Sequence, residues 1–188
     1  PTGYLLSKDP IQLRIDGDSV FVDDNVYGKY IQVDFPNTQI KGEIKVIKKG
    51  EHFQVKDGTY FYDDISLEGI EFSLYASEDI TTLDGVNHYK KGDLVGKAKS
   101  NSKGVATFSN LYLGKYIVKE TSTLDSFILD ETEHEVEVKE KDNKTPTVTY
   151  EIKLKNYLKK GTVEFTKTDL VNGEAIPNVI ISIYTEDD

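Results

Sequence analysis

Two lysines and two asparagines stand at the ends of short alternating strands, where their side chains would point into a hydrophobic core. Asn37 and Lys48 end one pair of such strands, and Asn156 and Lys167 end a second pair. Each of these four residues lies an even number of positions from the apolar residues of its strand, so its side chain points to the same buried face. A polar group on that face is costly to bury without a partner. A buried lysine loses its hydration, which favours the neutral, nucleophilic amine. We therefore interpret these side chains as chemically active.

The two pairs of strands are spaced as copies of one unit. Asn156 follows Asn37 by 119 residues (156 − 37), and Lys167 follows Lys48 by the same interval. A fixed interval of this length predicts a tandem array of domains. We divide the chain into the last strands of a preceding repeat (1–41), one complete domain (42–156) and the first strands of a following repeat (157–188).

The composition favours an all-β protein with a solvated surface. The 33 acidic and 23 basic side chains give a net charge of −10, which disfavours nucleic acid and anionic membranes as partners. There is no cysteine, so disulfides and thiolate chemistry are excluded. The histidines and acidic doublets lack the spacing of metal ligands, and no apolar run has the length of a membrane span. We expect no cofactor, no metal and no membrane insertion.

Alternating apolar residues predict the strands of the complete domain. The predicted strands are 42–48, 70–76, 93–99, 105–109, 114–121, 133–139 and 147–156. Short strands at this density predict a Greek-key β-sandwich. Residues 50–67 have no counterpart in the second copy, so we expect an inserted loop or hairpin that carries Tyr60, Phe61 and Tyr62 over the sandwich.

Several motifs taken together resemble a known family. They are GEIKVIK (42–48), LEGIEFSLY (67–75), SKGVATFSNLYLGKYIVKET (102–121) and IKLKN (152–156). The combination resembles the B-type repeat (CnaB-like, SpaA or prealbumin-like) of Gram-positive collagen adhesins and sortase-assembled pilins. This resemblance implies a reversed immunoglobulin-like, prealbumin-like Greek-key β-sandwich in tandem repeats.

The resemblance also implies a self-formed isopeptide bond between a lysine and an asparagine. Carried over by position, Lys48 is the amine, Asn156 is the acyl donor and Glu120 is the acid that shuttles the proton. On physical grounds, a buried neutral Glu120 could donate to the amide oxygen and then relay the amine proton to the departing ammonia. Asn37 and Lys167 would have their partners in neighbouring repeats. Beyond this single turnover the chain would not be an enzyme.

Simpler interpretations of the same residues stay open. An inward lysine at a strand end can extend its amine to the rim of the core, and an inward asparagine can cap a turn. Glu120 could also form an ordinary buried ion pair with Lys48, although such a pair is often neutral for stability.

The resemblance implies a structural stalk or shaft segment of an extracellular protein associated with a Gram-positive cell wall. Its partners would be neighbouring repeats of the same protein or fibre. The chain shows neither a sortase sorting signal nor the pilin motif with its linking lysine, so the choice between adhesin stalk and pilus shaft stays open. The alternative function is a ligand-binding adhesin module, in which the 50–67 insertion contacts a host surface or matrix protein or a glycan.

Overall fold

The computed structural model describes residues 2–7, 9–28, 30–33 and 37–182, and every regular element among them is a β-strand. The strands are β1 (Leu13–Asp16), β2 (Ser19–Val22), β3 (Asn25–Val26), β4 (Lys41–Lys56), β5 (Thr59–Ser66), β6 (Glu71–Ala76), β7 (Ile80–Thr81), β8 (Asn87–Tyr89), β9 (Leu94–Lys99), β10 (Val105–Leu111), β11 (Gly114–Ser122), β12 (His134–Val138) and β13 (Thr147–Asn156). The all-β prediction is confirmed. None of the described residues forms a helix that could cross a membrane. The chain divides into two units, residues 1–158 and 159–188.

Two four-stranded sheets form the sandwich of the first unit. In the first sheet, β4 lies between the antiparallel strand β10 and the parallel strand β13, and β5 pairs with the far end of β4. The second sheet has the order β12-β11-β6-β9. Ile44 and Val46 of the first sheet share one buried core with Phe72, Tyr116 and Val118 of the second. The predicted sandwich architecture is therefore confirmed.

The strands predicted for the complete domain are all present. The strands β6, β9, β10, β11, β12 and β13 begin and end within two residues of their predicted bounds. The strand β4 begins one residue before its predicted start and continues to Lys56. Alternation predicts these strands well because each has one face on the core and one face towards solvent.

β4 and β5 form the hairpin predicted for the insertion. Its turn, Asp57–Gly58, has φ angles of 51° and 71°, the left-handed conformation that two-residue hairpin turns favour. The aromatic residues do not lie over the sandwich, because Tyr60 is 71% exposed and Tyr62 is 49% exposed. On β4, the pairing with β13 ends at Gly50 and the pairing with β10 ends at Ile47. The hairpin therefore extends past its sheet, and this part of the prediction was wrong.

The two flanks form fewer strands than the repeat predicts. Residues 13–26 form a small antiparallel sheet of β1, β2 and β3. Residues 31–33 and 37 lie outside strands, residues 34–36 lie outside the described part of the chain, and residues 161–167 form no strand. An extended segment without a hydrogen-bonded neighbour is not stable as a strand. The assignment of the flanks to neighbouring repeats stays a prediction.

Gly104 fixes the backbone of β4 beside Lys48. It has a φ angle of 74°, and its carbonyl oxygen accepts a hydrogen bond from the Lys48 N–H at 2.7 Å. A Cβ atom on Gly104 would lie 2.4 Å from the backbone oxygen of Lys48. The left-handed conformation and the close approach both require glycine here.

We predict that Gly104→Ala lowers the free energy of unfolding by about 2–3 kcal/mol, because it adds backbone strain and a clash with β4. Gly92→Ala is the matched control, since Gly92 has a φ angle of 90° but open space around its Cα. That variant should lose only about 1 kcal/mol from strain. Urea unfolding measures both losses, and equal losses would show that the approach to Lys48 is unimportant.

Candidate functional site

Lys48 and Asn156 reach the core from neighbouring parallel strands. In the register of β4 and β13, Lys48 pairs with Leu154 and Gly50 pairs with Asn156. Because Gly50 has no side chain, Asn156 has no side chain directly opposite it and can meet Lys48 diagonally on the same face. Lys48 is 0% exposed and Asn156 is 1% exposed. The amine therefore does not reach the rim of the core.

Glu120 comes from the opposite sheet. Tyr116, Val118 and Glu120 alternate inward along β11, and Glu120 is 5% exposed. Burial raises the pKa of Tyr116 well above its usual range, and the Tyr116 hydroxyl donates to the backbone oxygen of Tyr112 at 2.6 Å. The sandwich thus brings a carboxyl group from one sheet to an amine and an amide from the other.

The three groups contact one another in a closed triangle. Lys48 Nζ lies 2.5 Å from Glu120 Oε2 and 2.6 Å from Asn156 Oδ1. Asn156 Nδ2 donates a hydrogen bond to Glu120 Oε1 at 2.6 Å. Each carboxyl oxygen of Glu120 therefore contacts one of the two groups that the sequence analysis expects to react.

Apolar side chains surround this triangle. The centre of the Phe72 ring lies 6.0 Å from Lys48 Nζ. Five residues that precede Lys48, Glu120 or Asn156 on the same strands are buried, namely Ile44, Val46, Tyr116, Val118 and Leu154. An amine, a carboxamide and a carboxyl group that contact one another away from water can exchange protons and can condense to a new amide.

Thr123 makes a further polar contact that the sequence did not predict. Its Oγ1 accepts a hydrogen bond from Asn156 Nδ2 at 2.8 Å. If the residues of β11 alternated strictly after Glu120, the Ser122 side chain would point into the core. However, the pairing of β11 with β6 shifts by one residue between Glu120 and Ser122. Such a bulge reverses the alternation that follows it. Nothing in the sequence marked this bulge in advance.

The orientation of the amide differs from the expected mechanism in one respect. That mechanism has Glu120 donate to the amide oxygen of Asn156. In the structure Asn156 Oδ1 faces Lys48, and the amide nitrogen faces Glu120. A carboxyl group paired with an amine accepts hydrogen bonds, so it attracts the N–H side of the amide. The contacts therefore suit a proton relay better than activation of the carbonyl.

Asn37 and Lys167 lie outside this triangle. The Asn37 side chain is exposed and belongs to no strand, and the Lys167 side chain is exposed in the second unit. Their pairing with residues of neighbouring repeats stays a prediction.

The fold and the site define an immunoglobulin-like sandwich domain with a buried amine, amide and carboxyl group. Residues 62–153 match the family model described as SpaA, prealbumin-like fold domain. The chain therefore contains a SpaA prealbumin-like domain, as the resemblance in its motifs implied. The matched segment includes Glu120, begins after Lys48 and ends before Asn156.

Several solved structures are similar to this chain. The minor pilin GBS52 of Streptococcus agalactiae is 20% identical with a TM-score of 0.45, over 81% of this chain and 58% of that one. The Bacillus anthracis TIE protein is 24% identical with a TM-score of 0.49, over 83% of this chain and 23% of that one. The major pilin SpaA of Corynebacterium diphtheriae is 15% identical with a TM-score of 0.42, over 64% of this chain and 31% of that one.

The chain thus spans less than two thirds of each of these proteins. No curated protein matches it. Similarities this distant do not indicate function, so the function must be argued from the site.

Proposed function

We propose that Lys48 and Asn156 form an isopeptide bond when the domain folds, that Glu120 shuttles the proton, and that the bond reinforces a stalk or shaft segment. One observation carries the proposal. The amine, the amide and the carboxyl group contact one another at 2.5–2.6 Å, and none of the three residues is more than 5% exposed. Reacting groups that folding already holds in contact need little further ordering to react.

The contacts support a complete proton path for this reaction. Glu120 Oε2 takes a proton from Lys48 Nζ, and the neutral amine attacks Cγ of Asn156, the carbon bonded to Oδ1. Glu120 Oε1 then gives a proton to Nδ2, which leaves as ammonia. As the Nζ–Cγ bond forms and the Cγ–Nδ2 bond breaks, Nζ gives a second proton to Glu120 and keeps its third proton as the N–H of the new amide. No cofactor and no oxidant takes part.

An unreacted buried ion pair is the simplest competing interpretation. A buried pair of Lys48 and Glu120 would be roughly neutral for stability compared with apolar residues. Such a pair also has no need of a carboxamide, whereas Asn156 contacts both of its members. Full burial of Lys48 also argues against an amine that extends to the rim.

The proposed bond suits a mechanical role. It would join β4 and β13, the first and last strands of the sandwich, which lie side by side in parallel. Force that enters at Lys41 would pass along β4 to Lys48, cross the bond and leave at Asn156. The interval of 108 residues that the bond would close is thereby shielded from load.

The type of domain is consistent with this role. Residues 62–153 match a SpaA prealbumin-like domain, and the resemblance in the motifs implies a structural protein rather than an enzyme. We infer that the whole protein is attached to a Gram-positive cell wall and is extracellular. Its partners are neighbouring repeats of the same protein or fibre, with Asn37 and Lys167 bonded across the flanking repeats.

The mass of the protein tests the bond directly. The 188-residue chain should weigh one ammonia less than its sequence requires, because amide formation expels Nδ2. Digestion should release the Lys48 and Asn156 peptides as one branched species. Lys48→Ala and Asn156→Ala should each restore the full mass, and Glu120→Ala should fold and also keep the full mass.

Lys49→Ala is the matched control for this experiment. Lys49 is the next residue of β4, but its Nζ contacts Ser66 Oγ at 3.2 Å, so its loss should leave the missing ammonia unchanged. A full mass for the folded parent protein, or crosslinking undiminished in Glu120→Ala, would overturn the proposal.

The bond should also change how the domain unfolds. By analogy with a disulfide that closes a loop of this size, it should add about 4–5 kcal/mol to the free energy of unfolding. Urea unfolding should therefore show a loss of at least that size in Lys48→Ala. Single-molecule stretching of the parent should show no extension of residues 49–155, and an unfolding step of that full length would contradict the bond.

A second candidate function is ligand binding by the hairpin. Phe53 pairs with Tyr62 and Val55 pairs with Tyr60, so these four side chains lie on one face of the hairpin. We call them the hairpin patch. They are 44–71% exposed, and the ring centres of Phe53 and Tyr60 lie 5.8 Å apart. A clustered, exposed aromatic surface is typical of a site that binds another protein or a glycan.

We predict that the double variant Phe53→Ser, Tyr60→Ser abolishes binding of the protein to immobilised fibrillar collagen or fibronectin, because it removes two of the four side chains of the hairpin patch, including the stacked aromatic pair. Its stability should change little, since both side chains face solvent. Leu83→Ser is the matched control, because Leu83 is 68% exposed but lies outside the hairpin. Binding at equal strength by the double variant, or no binding by the parent, would exclude this function for those two ligands.

A further inference from the structure

Thr123 follows β11 directly, and a bulge turns its side chain towards Asn156. From Glu120 to Ser122, β11 contains one residue more than its partner strand β6. Thr121 and Ser122 are both exposed, whereas Thr123 is partly buried. Bulges beside reactive sites commonly redirect a side chain in this way. The sheet therefore departs from regular pairing at the point that brings a hydroxyl group to the amide.

Thr123 and Glu120 hold the same nitrogen atom. Asn156 Nδ2 donates to Glu120 Oε1 at 2.6 Å and to Thr123 Oγ1 at 2.8 Å. Two acceptors match the two N–H bonds of the amide, and the amide oxygen is left to face Lys48 Nζ at 2.6 Å. These contacts fix which end of the amide faces the amine and which end faces the carboxyl group.

We propose that Thr123 is a catalytic residue of the crosslinking reaction, in which its hydroxyl oxygen binds the leaving nitrogen of Asn156. This inference rests on the isopeptide bond proposed above and assigns a role to a residue that the expected triad of Lys48, Glu120 and Asn156 does not include. The hydroxyl neither gains nor loses a covalent bond.

The reaction explains why an acceptor at this position accelerates it. Nδ2 takes a proton from Glu120 before the Cγ–Nδ2 bond breaks, so the nitrogen becomes positively charged. Hydrogen bonds from a charged donor are about twice as strong as those from a neutral one. The contact with Thr123 is therefore stronger in the transition state than in the starting amide, and only such a difference raises the rate.

The test follows ammonia loss during folding. The full chain is synthesised and kept in urea, diluted to start folding, and sampled by intact-mass spectrometry, while tyrosine fluorescence and circular dichroism follow folding itself. Thr123→Val should fold but crosslink about 10- to 100-fold more slowly than the parent, the range expected for one lost hydrogen bond to a charged group. Thr123→Ser keeps the hydroxyl and should stay within about 3-fold of the parent, less than the loss expected for that bond.

Two further variants make the result decisive. Thr121→Val is the matched control, because Thr121 is exposed and its hydroxyl donates to the backbone oxygen of Glu71, so it should crosslink at the parental rate. Thr123→Ala removes the same hydroxyl with a smaller side chain and should be as slow as Thr123→Val. A parental rate in either hydroxyl-free variant would overturn the role of Thr123, and so would a failure of serine to restore the rate.

The outcome separates this inference from the function on which it rests. If the parent never loses ammonia, the isopeptide proposal fails, and the role of Thr123 fails with it. If the parent crosslinks and the Thr123 variants crosslink equally fast, the bond stands and only the role of Thr123 is wrong.

Discussion

The buried contact between the Lys48 amine and the Glu120 carboxyl group is the interaction on which the rest of the domain depends. Moving an amine and a carboxylate out of water costs several kcal/mol for each ion, and only close pairing offsets this cost. The two groups come from opposite sheets and are almost completely buried. The two sheets can therefore close over one core only in the arrangement that brings these groups together.

The same constraint fixes the register of the strands. Asn156 contacts both members of the pair, and it comes from a third strand, β13. A shift of β13 by one residue along β4 would turn Asn156 to the other face and would leave Lys48 and Glu120 without their third partner. Gly50 lies opposite Asn156 in this register, and a Cβ atom on Gly50 would lie 2.6 Å from the Leu67 side chain, so this position has no room for a larger residue. A crosslink between these strands would make the register permanent.

Formation of the bond would also remove the energetic cost of the site. If Lys48 and Glu120 are buried as an ion pair, the unreacted core contains a charged amine beside a carboxylate. After reaction it would contain a neutral amide beside a neutral acid, and neutral hydrogen-bonded groups are much less costly to bury than ions. The desolvation that makes the folded, unreacted domain expensive thus favours the crosslinked product. This gives a physical reason for a reactive lysine at a position where an apolar residue would pack equally well.

The sequence predicted the parts of this structure that depend on local pattern. The sandwich strands were predicted because each has one buried and one exposed face, although β4 continues eight residues past its predicted end at residue 48. The resemblance, and not the pattern, singled out Glu120 from the other acidic residues. Thr123 was missed because a bulge reverses the alternation, and the exposure of Tyr60 was missed because it depends on where neighbouring strands end. These last features belong to pairing between distant segments, which a single sequence does not record.

The position of the hairpin relative to the proposed bond connects the two candidate functions. Residues 49–66 directly follow Lys48 and precede Asn156 in the chain, so the hairpin would lie inside the covalent loop. Force that crosses from Lys48 to Asn156 would not pass through β5 or through the turn at Asp57–Gly58. An aromatic surface placed there would keep its shape while the stalk is under tension. A mechanical segment and a binding surface are therefore compatible in one domain, because a crosslink that carried the load would also protect the hairpin patch from it.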